Sequence, residues 1–118
     1  MALKKRGVIV VRSKEQTCSD WEKEISNIEE FLVEIKNAKS GKSRRKIMAN
    51  KVIRCKYDYE RKRSQNNTVS QWKTGRFRKV FSDEYDVDVL FYDGTVAHGG
   101  TLLINVRNSY PPNYFKKM

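Results

Sequence analysis

Side chains able to do covalent or metal chemistry are sparse in this chain, and their spacing excludes most reactions. His98 is the single histidine, so a multi-histidine metal or catalytic site cannot be assembled from these residues alone. Cys18, Cys55 and His98 are separated by 37 and 43 residues, whereas structural zinc sites draw their ligands in closely spaced pairs, so no metal is expected. Two cysteines make no disulfide framework and fit a reducing compartment. Cys55, inside a strand-like run, reads as a small buried hydrophobe. No serine, threonine or carboxylate falls into a nucleophile motif, and His98 has no catalytic companion at a diagnostic spacing. A binding protein without cofactor is expected, not an enzyme.

Positive charge is what the chain has in quantity. Lys+Arg of 25 against Asp+Glu of 14 gives a net +11 over 118 residues. Residues 1–40 are net +1, residues 41–80 net +12 and residues 81–118 net −2. The middle third holds Lys42, Arg44, Arg45 and Lys46, then Arg54, Lys56, Arg61, Lys62 and Arg63, then Lys73, Arg76 and Arg78. A single-signed stretch suits phosphates, each of which releases counterions when neutralised; the same stretch would also serve as a solvated, solubilising surface. The clusters Lys42–Lys46 and Arg61–Arg63 resemble nuclear-import signals; a nuclear location is expected, or the host's nucleic-acid compartment if the source is viral. No apolar run approaches the roughly 20 residues of a membrane span, so no membrane partner is expected. Val8–Val11 is too short for a signal peptide's hydrophobic segment.

The elements that must position these residues follow from periodicity. Residues 1–18 form a basic segment with a short strand at Val8–Val11. Ser19 and Glu22 read as a capping box opening an amphipathic helix, within residues 19–38. Trp21, Ile25, Ile28, Leu32 and Ile35 make its apolar stripe, which is expected to pack on the core. Residues 39–50 read as a basic linker. From residue 51 to 107 the period becomes strand-like: Val52–Tyr59, Trp72–Phe81, Tyr85–Tyr92 and a strand from Thr95 to Val106 bent at Gly99-Gly100. Glu60–Ser70 reads as a long loop. Tyr85, Val87, Val89 and Phe91 alternate with Asp86 and Asp88, which predicts one core face and one wet face. Asp93-Gly94 is a hairpin signal, because a tight turn there demands positive φ. The expected class is α+β: an N-terminal helix packed on a small, strongly bent antiparallel barrel, followed by a tail at 108–118.

The ordered strands Lys51-Val52-Ile53-Arg54-Cys55-Lys56-Tyr57, Gln71-Trp72-Lys73-Thr74-Gly75-Arg76-Phe77 and Tyr85–Phe91, with the turn Tyr92-Asp93-Gly94, resemble a Tudor domain over residues 51–104. Two departures are the long loop Asp58–Ser70 and Thr95 where many members carry another aromatic. The resemblance implies a chromatin module that recognises a methylated lysine or arginine, as on a histone tail. Tyr57, Trp72 and Phe91 would be the walls of an aromatic cage and Asp93 its carboxylate. Ring faces attract such cations by roughly 0.5–2 kcal/mol per contact. Phe91 equally fits the core face it shares with Val87 and Val89.

The competing reading is DNA or RNA binding by the basic stretch 42–79. There Tyr57, Tyr59 and Trp72 interleave with Lys and Arg, as a phosphate-tracking, base-stacking surface requires. At the C-terminus, Pro111-Pro112-Asn113-Tyr114 fits the PPxY pattern that WW-domain proteins bind as an extended polyproline helix; a turn bringing Tyr114 and Phe115 back onto the body fits it as well.

Overall fold

The computed structural model describes residues 14–38 and 47–115 of the chain. Its elements are short and wind around one cluster of buried side chains. Strand β1 (Lys14–Thr17) leads directly into helix α1 (Cys18–Glu29). Strand β2 (Leu32–Asn37) follows, and β3 (Val52–Cys55) comes next in the chain. Helix α2 (Val69–Trp72) runs through a π-helical turn (Lys73–Phe77) into α3 (Arg78–Val80). Strand β4 (Tyr85–Leu90) and helix α4 (Leu103–Arg107) complete the fold. β1 pairs antiparallel with β3, Lys14 opposite Cys55, and β2 pairs antiparallel with β4, Leu32 opposite Leu90. The protein is thus a mixed α and β structure with two small antiparallel sheets. They do not close into a barrel.

The long N-terminal helix expected from the apolar spacing is two elements. Thr17, not Ser19, caps α1, its hydroxyl accepting the Asp20 N–H at 3.2 Å. The helix stops at Glu30, whose φ of 66° reverses the chain, as left-handed residues commonly do at helix ends. Beyond it Phe31, Val33 and Ile35 are buried while Leu32, Glu34 and Lys36 are half-buried, the two-residue period of a strand. Leu32 and Ile35 satisfy a helical spacing by coincidence, and β-branched Val33 and Ile35 follow strand preference. Glu22, freed from capping, reaches across to accept the Ile35 N–H at 2.7 Å, and the Ile35 carbonyl accepts the Ile47 N–H at 3.1 Å.

The expected strand Trp72–Phe81 is helical. Thr68 and Gln71 form a capping box, and the loop carbonyls of Thr101 and Gly99 accept the N–H groups of Val69 and Ser70 at 2.9 Å. Val69, Trp72, Phe77 and Phe81 are its buried face. The wide π turn takes up one extra residue, which brings Trp72 and Phe77, five apart, to the same side. Phe77 and Phe81 then stack, ring centroids 4.4 Å apart. The fourth expected strand is also absent: Leu103–Arg107 is helix α4, with Leu103 and Val106 buried.

The loop before α2 is tied down, since the carbonyls of Asn67 and Gln65 accept the N–H groups of Leu103 and Ile104 at 2.8 and 3.2 Å. β4 forms as expected, yet both of its faces are covered: Asp86 and Asp88 are buried with the valines. Arg78 meets Asp86 at 3.0 Å, and Lys36 pairs with Asp88. The Asp93-Gly94 hairpin is present, with Gly94 at φ 90° and Phe91 and Thr95 joined by a 2.9 Å hydrogen bond. A Cβ on Gly94 meets nothing, so Gly94→Ala isolates backbone strain. It is expected to cost about 1–2 kcal/mol, read as a lower urea midpoint at constant m-value. The expected strand Val8–Val11 and the linker cations Lys42, Arg44, Arg45 and Lys46 lie outside the described residues.

Candidate nucleic-acid interface

The expected cage residues do not form an open cage. Tyr57 and Trp72 are buried in the core, 1% and 0% exposed. The Trp72 indole N–H donates to the Tyr57 hydroxyl at 3.1 Å, and that hydroxyl donates to the Glu29 carboxylate. Trp72 meets Phe31 edge-on at 5.2 Å. The space a methylated ammonium would need is filled by the protein's own side chains. Phe91 is half-buried against the core. Asp93 stands in the exposed turn, its carboxylate accepting the Thr95 N–H at 3.0 Å and hydroxyl at 2.7 Å. Those two bonds hold the Asp93 carboxyl below its ordinary pKa. Sequence adjacency of aromatics and strand-like residues could not reveal this, because a helix replaces the second cage strand.

Glu29 organises the interior of this region. It is fully buried at the C-terminal end of α1. It accepts from the Tyr57 hydroxyl, the Arg63 N–H at 2.8 Å and the Arg76 guanidinium. The Arg107 guanidinium lies 3.6 Å away, and its Nε donates to the Glu29 carbonyl at 2.7 Å. Arg76 also donates to the Arg61 carbonyl at 2.7 Å and lies over the Tyr59 ring at 4.2 Å. Arg107 is held below its ordinary pKa by burial, with Glu29 opposing. Its Nη1 and Nη2 are buried and have no hydrogen-bond partner among the described residues.

The basic stretch is therefore divided in its roles. Arg76 serves the interior through Glu29; Arg78 and Lys73 face Asp86 at 3.0 and 4.0 Å. Arg54 pairs with Glu15 at 2.8 Å and Lys62 with Glu30 at 3.0 Å, both at the surface. The Arg63 side chain donates to Asn67. Lys56 and Arg61 are exposed. The 94 described residues carry fourteen basic and fourteen acidic side chains and are electrically neutral. The whole surplus falls on residues 1–13, 39–46 and 116–118, with four, five and two basic side chains and no acidic one.

No protein-family model matches this chain, and no match is found among curated proteins or solved structures.

Three hollows follow one another through shared lining residues, a row called the furrow below. The first is walled by Lys14, Glu24, Ile28, Lys56, Asp58 and Tyr59, the second by Ile28, Glu30, Glu60, Arg61 and Lys62. Lys62 and Glu30 also border the third and most enclosed, about 460 Å³, which extends to Arg107 and the C-terminal aromatics. There Tyr110, Tyr114 and Phe115 pack with centroids 4.9–5.6 Å apart. Pro111–Tyr114 is a turn, the Tyr114 N–H donating to the Pro111 carbonyl at 3.1 Å with Asn113 at φ 64°. It is not the extended helix a WW domain grips, and Tyr114 is half-buried in the cluster. Sequence reasoning missed Gln65, Asn108 and Tyr110 here; the recurrence of rings at 110, 114 and 115 was the available signal. Among the described residues, no His, Cys, Asp or Glu cluster could hold a metal, and no helix is long and apolar enough to cross a membrane.

Several buried acids titrate late. Burial, then Glu24, pushes the Cys55 thiol up to about 12; burial pushes Tyr110 up to about 12 as well. Tyr57 is raised by burial and then by Glu29. Each group holds its proton more tightly folded than unfolded. Stability should therefore be complete below the unfolded thiol's 9.0 and fall as pH rises from there toward 12. Each group contributes a slope of up to about 1.4 kcal/mol per pH unit. Urea midpoints measured across this range test it; a flat profile would show that these groups ionise freely in the native state.

Proposed function

We propose that the protein binds nucleic acid and acts through that binding rather than through catalysis. One observation carries the reading: the described residues hold equal numbers of basic and acidic side chains, and the net +11 comes from the single-signed stretches 1–13, 39–46 and 116–118. Positive charge concentrated in short stretches of like sign suits a polyanion whose phosphates are neutralised in number. The furrow adds to this. It begins at Lys14, shortly after Lys4, Lys5, Arg6 and Arg12 in sequence, and ends at Phe115, directly before Lys116 and Lys117. Lys56, Arg61 and Lys62 stand along it together with Glu24, Asp58, Glu30 and Glu60, so its own charge is nearly balanced and the flanking stretches carry the attraction. A methylated-peptide cage would require Tyr57 and Trp72 at a mouth open to solvent, and both are buried.

Binding of fluorescent single-stranded and duplex oligonucleotides at about 50 and 200 mM salt tests the proposal, because log K falls with log salt in proportion to the phosphates neutralised. A steep fall is expected. Replacing Lys42, Arg44, Arg45 and Lys46 with glutamine should make it shallower, by about one unit of slope for each phosphate no longer neutralised. Absence of binding at the lower salt would overturn the reading.

A further inference from the structure

We infer, building on the nucleic-acid reading above, that the cavity under the C-terminal turn takes the base of one unpaired nucleotide, so that single strands are preferred over duplexes. The volume is about 460 Å³, inside the roughly 300–1,000 Å³ of small-molecule sites. Its walls supply the three kinds of contact a nucleotide uses. Tyr114 and Phe115, both half-buried, present ring surface to it, and every base has a face that stacks on such rings. The rings touch each other too closely to admit a cation between them, which favours stacking over a cage.

Gln65, Asn108 and Asn113 border the same space; an amide carries both donor and acceptor and matches base edges. Lys62 stands at the margin, paired with Glu30 at 3.0 Å. An exposed pair of this kind is worth little, so a phosphate can exchange for Glu30 at small cost.

Arg107 and the packing of the wall complete the site. Arg107 lines the cavity, and its Nη1 and Nη2 are buried with no hydrogen-bond partner among the described residues. Such unsatisfied interior donors are rare. Those atoms face Glu29, 3.6 Å from Nη2, and the Phe31 ring, so Arg107 contributes positive potential behind the cavity wall rather than a donor to its occupant. The wall is also preorganised. The Tyr110 hydroxyl donates to the Leu90 carbonyl and accepts the Leu32 N–H at 2.9 Å, and the bond from Tyr114 to Pro111 fixes the turn above it. Less ordering is then needed on binding. A paired base, stacked on both sides, cannot enter such a space, whereas an unpaired one can.

Anisotropy titrations of a single-stranded oligonucleotide and its duplex at about 50 mM salt, with wild type, Phe115→Ala and Asn108→Ala, test the inference. Thermal unfolding of each variant is followed in parallel. Wild type should bind the single strand more tightly; Phe115→Ala should lose about tenfold or more of that affinity and Asn108→Ala about threefold or more, both keeping their affinity for the duplex. Asn108 is exposed, so its variant remains informative if Phe115→Ala destabilises the fold. Equal affinity for the two forms, or single-strand affinity unchanged in Asn108→Ala, overturns the base pocket and leaves phosphate binding standing. Failure of wild type to bind either form at this salt overturns both.

Discussion

Glu29→Ala should cost about 3–5 kcal/mol, the usual penalty for breaking a buried ion pair from one side. Since domains of this kind have about 5–15 kcal/mol in total, much of the stability would go with one carboxylate. The reason is the balance of charge in the interior. Glu29 is fully buried and faces two guanidinium groups, Arg76 and Arg107, whose side chains are 13% and 7% exposed. Removing it strands both cations, and also the Tyr57 hydroxyl and the Arg63 N–H that donate to it. Glu29→Gln keeps the shape and one acceptor but removes the charge, and should fall between wild type and alanine. Urea unfolding followed by tryptophan fluorescence measures all three. Equal midpoints for the three proteins would mean that the interior pairs are replaced by water.

Trp72→Ala separates the two readings of the aromatic residues. As a cage wall, Trp72 could be truncated with the fold intact and only peptide binding impaired. In the structure it is 0% exposed, edge-on to Phe31 at 5.2 Å, near Phe77 at 6.1 Å, and bonded to Tyr57. Removing it leaves a large cavity and an unpaired Tyr57 acceptor, at a cost of about 3–5 kcal/mol. A loss of this size should lower Tm by more than about 10 °C in a chain this long. Retention of the wild-type Tm would return the ring to the surface.

Part of the fold is legible in the residues. Trp21 and Ile25, four apart, mark α1, Val52–Cys55 marks β3, and Asp93-Gly94 marks the hairpin; each is a local signal with a local cause. The chain reversal at Glu30 is not legible, because a non-glycine residue at positive φ leaves no mark in sequence, and Leu32 and Ile35 fit both periods. The helix 69–80 is hidden by its π turn, which separates Trp72 and Phe77 of one buried face by five residues and so breaks the helical period in the sequence. The site is obscured for a related reason. A window of sequence counts Arg76, Arg78 and Lys73 as free charge, while their carboxylates Glu29 and Asp86 meet them only on folding. Tyr110, Tyr114 and Phe115 read as a tail, since nothing local says that a tail returns to the body.

The link between Glu22 and Ile35 has an effect beyond joining α1 to β2. A strand with free backbone groups along its rim is a template on which a foreign strand can add and start aggregation. At Ile35 both backbone groups are already engaged outside the sheet, the N–H by Glu22 and the carbonyl by the Ile47 N–H. The middle of this apolar strand is thereby closed to intermolecular pairing, by a carboxylate borrowed from the helix that precedes it.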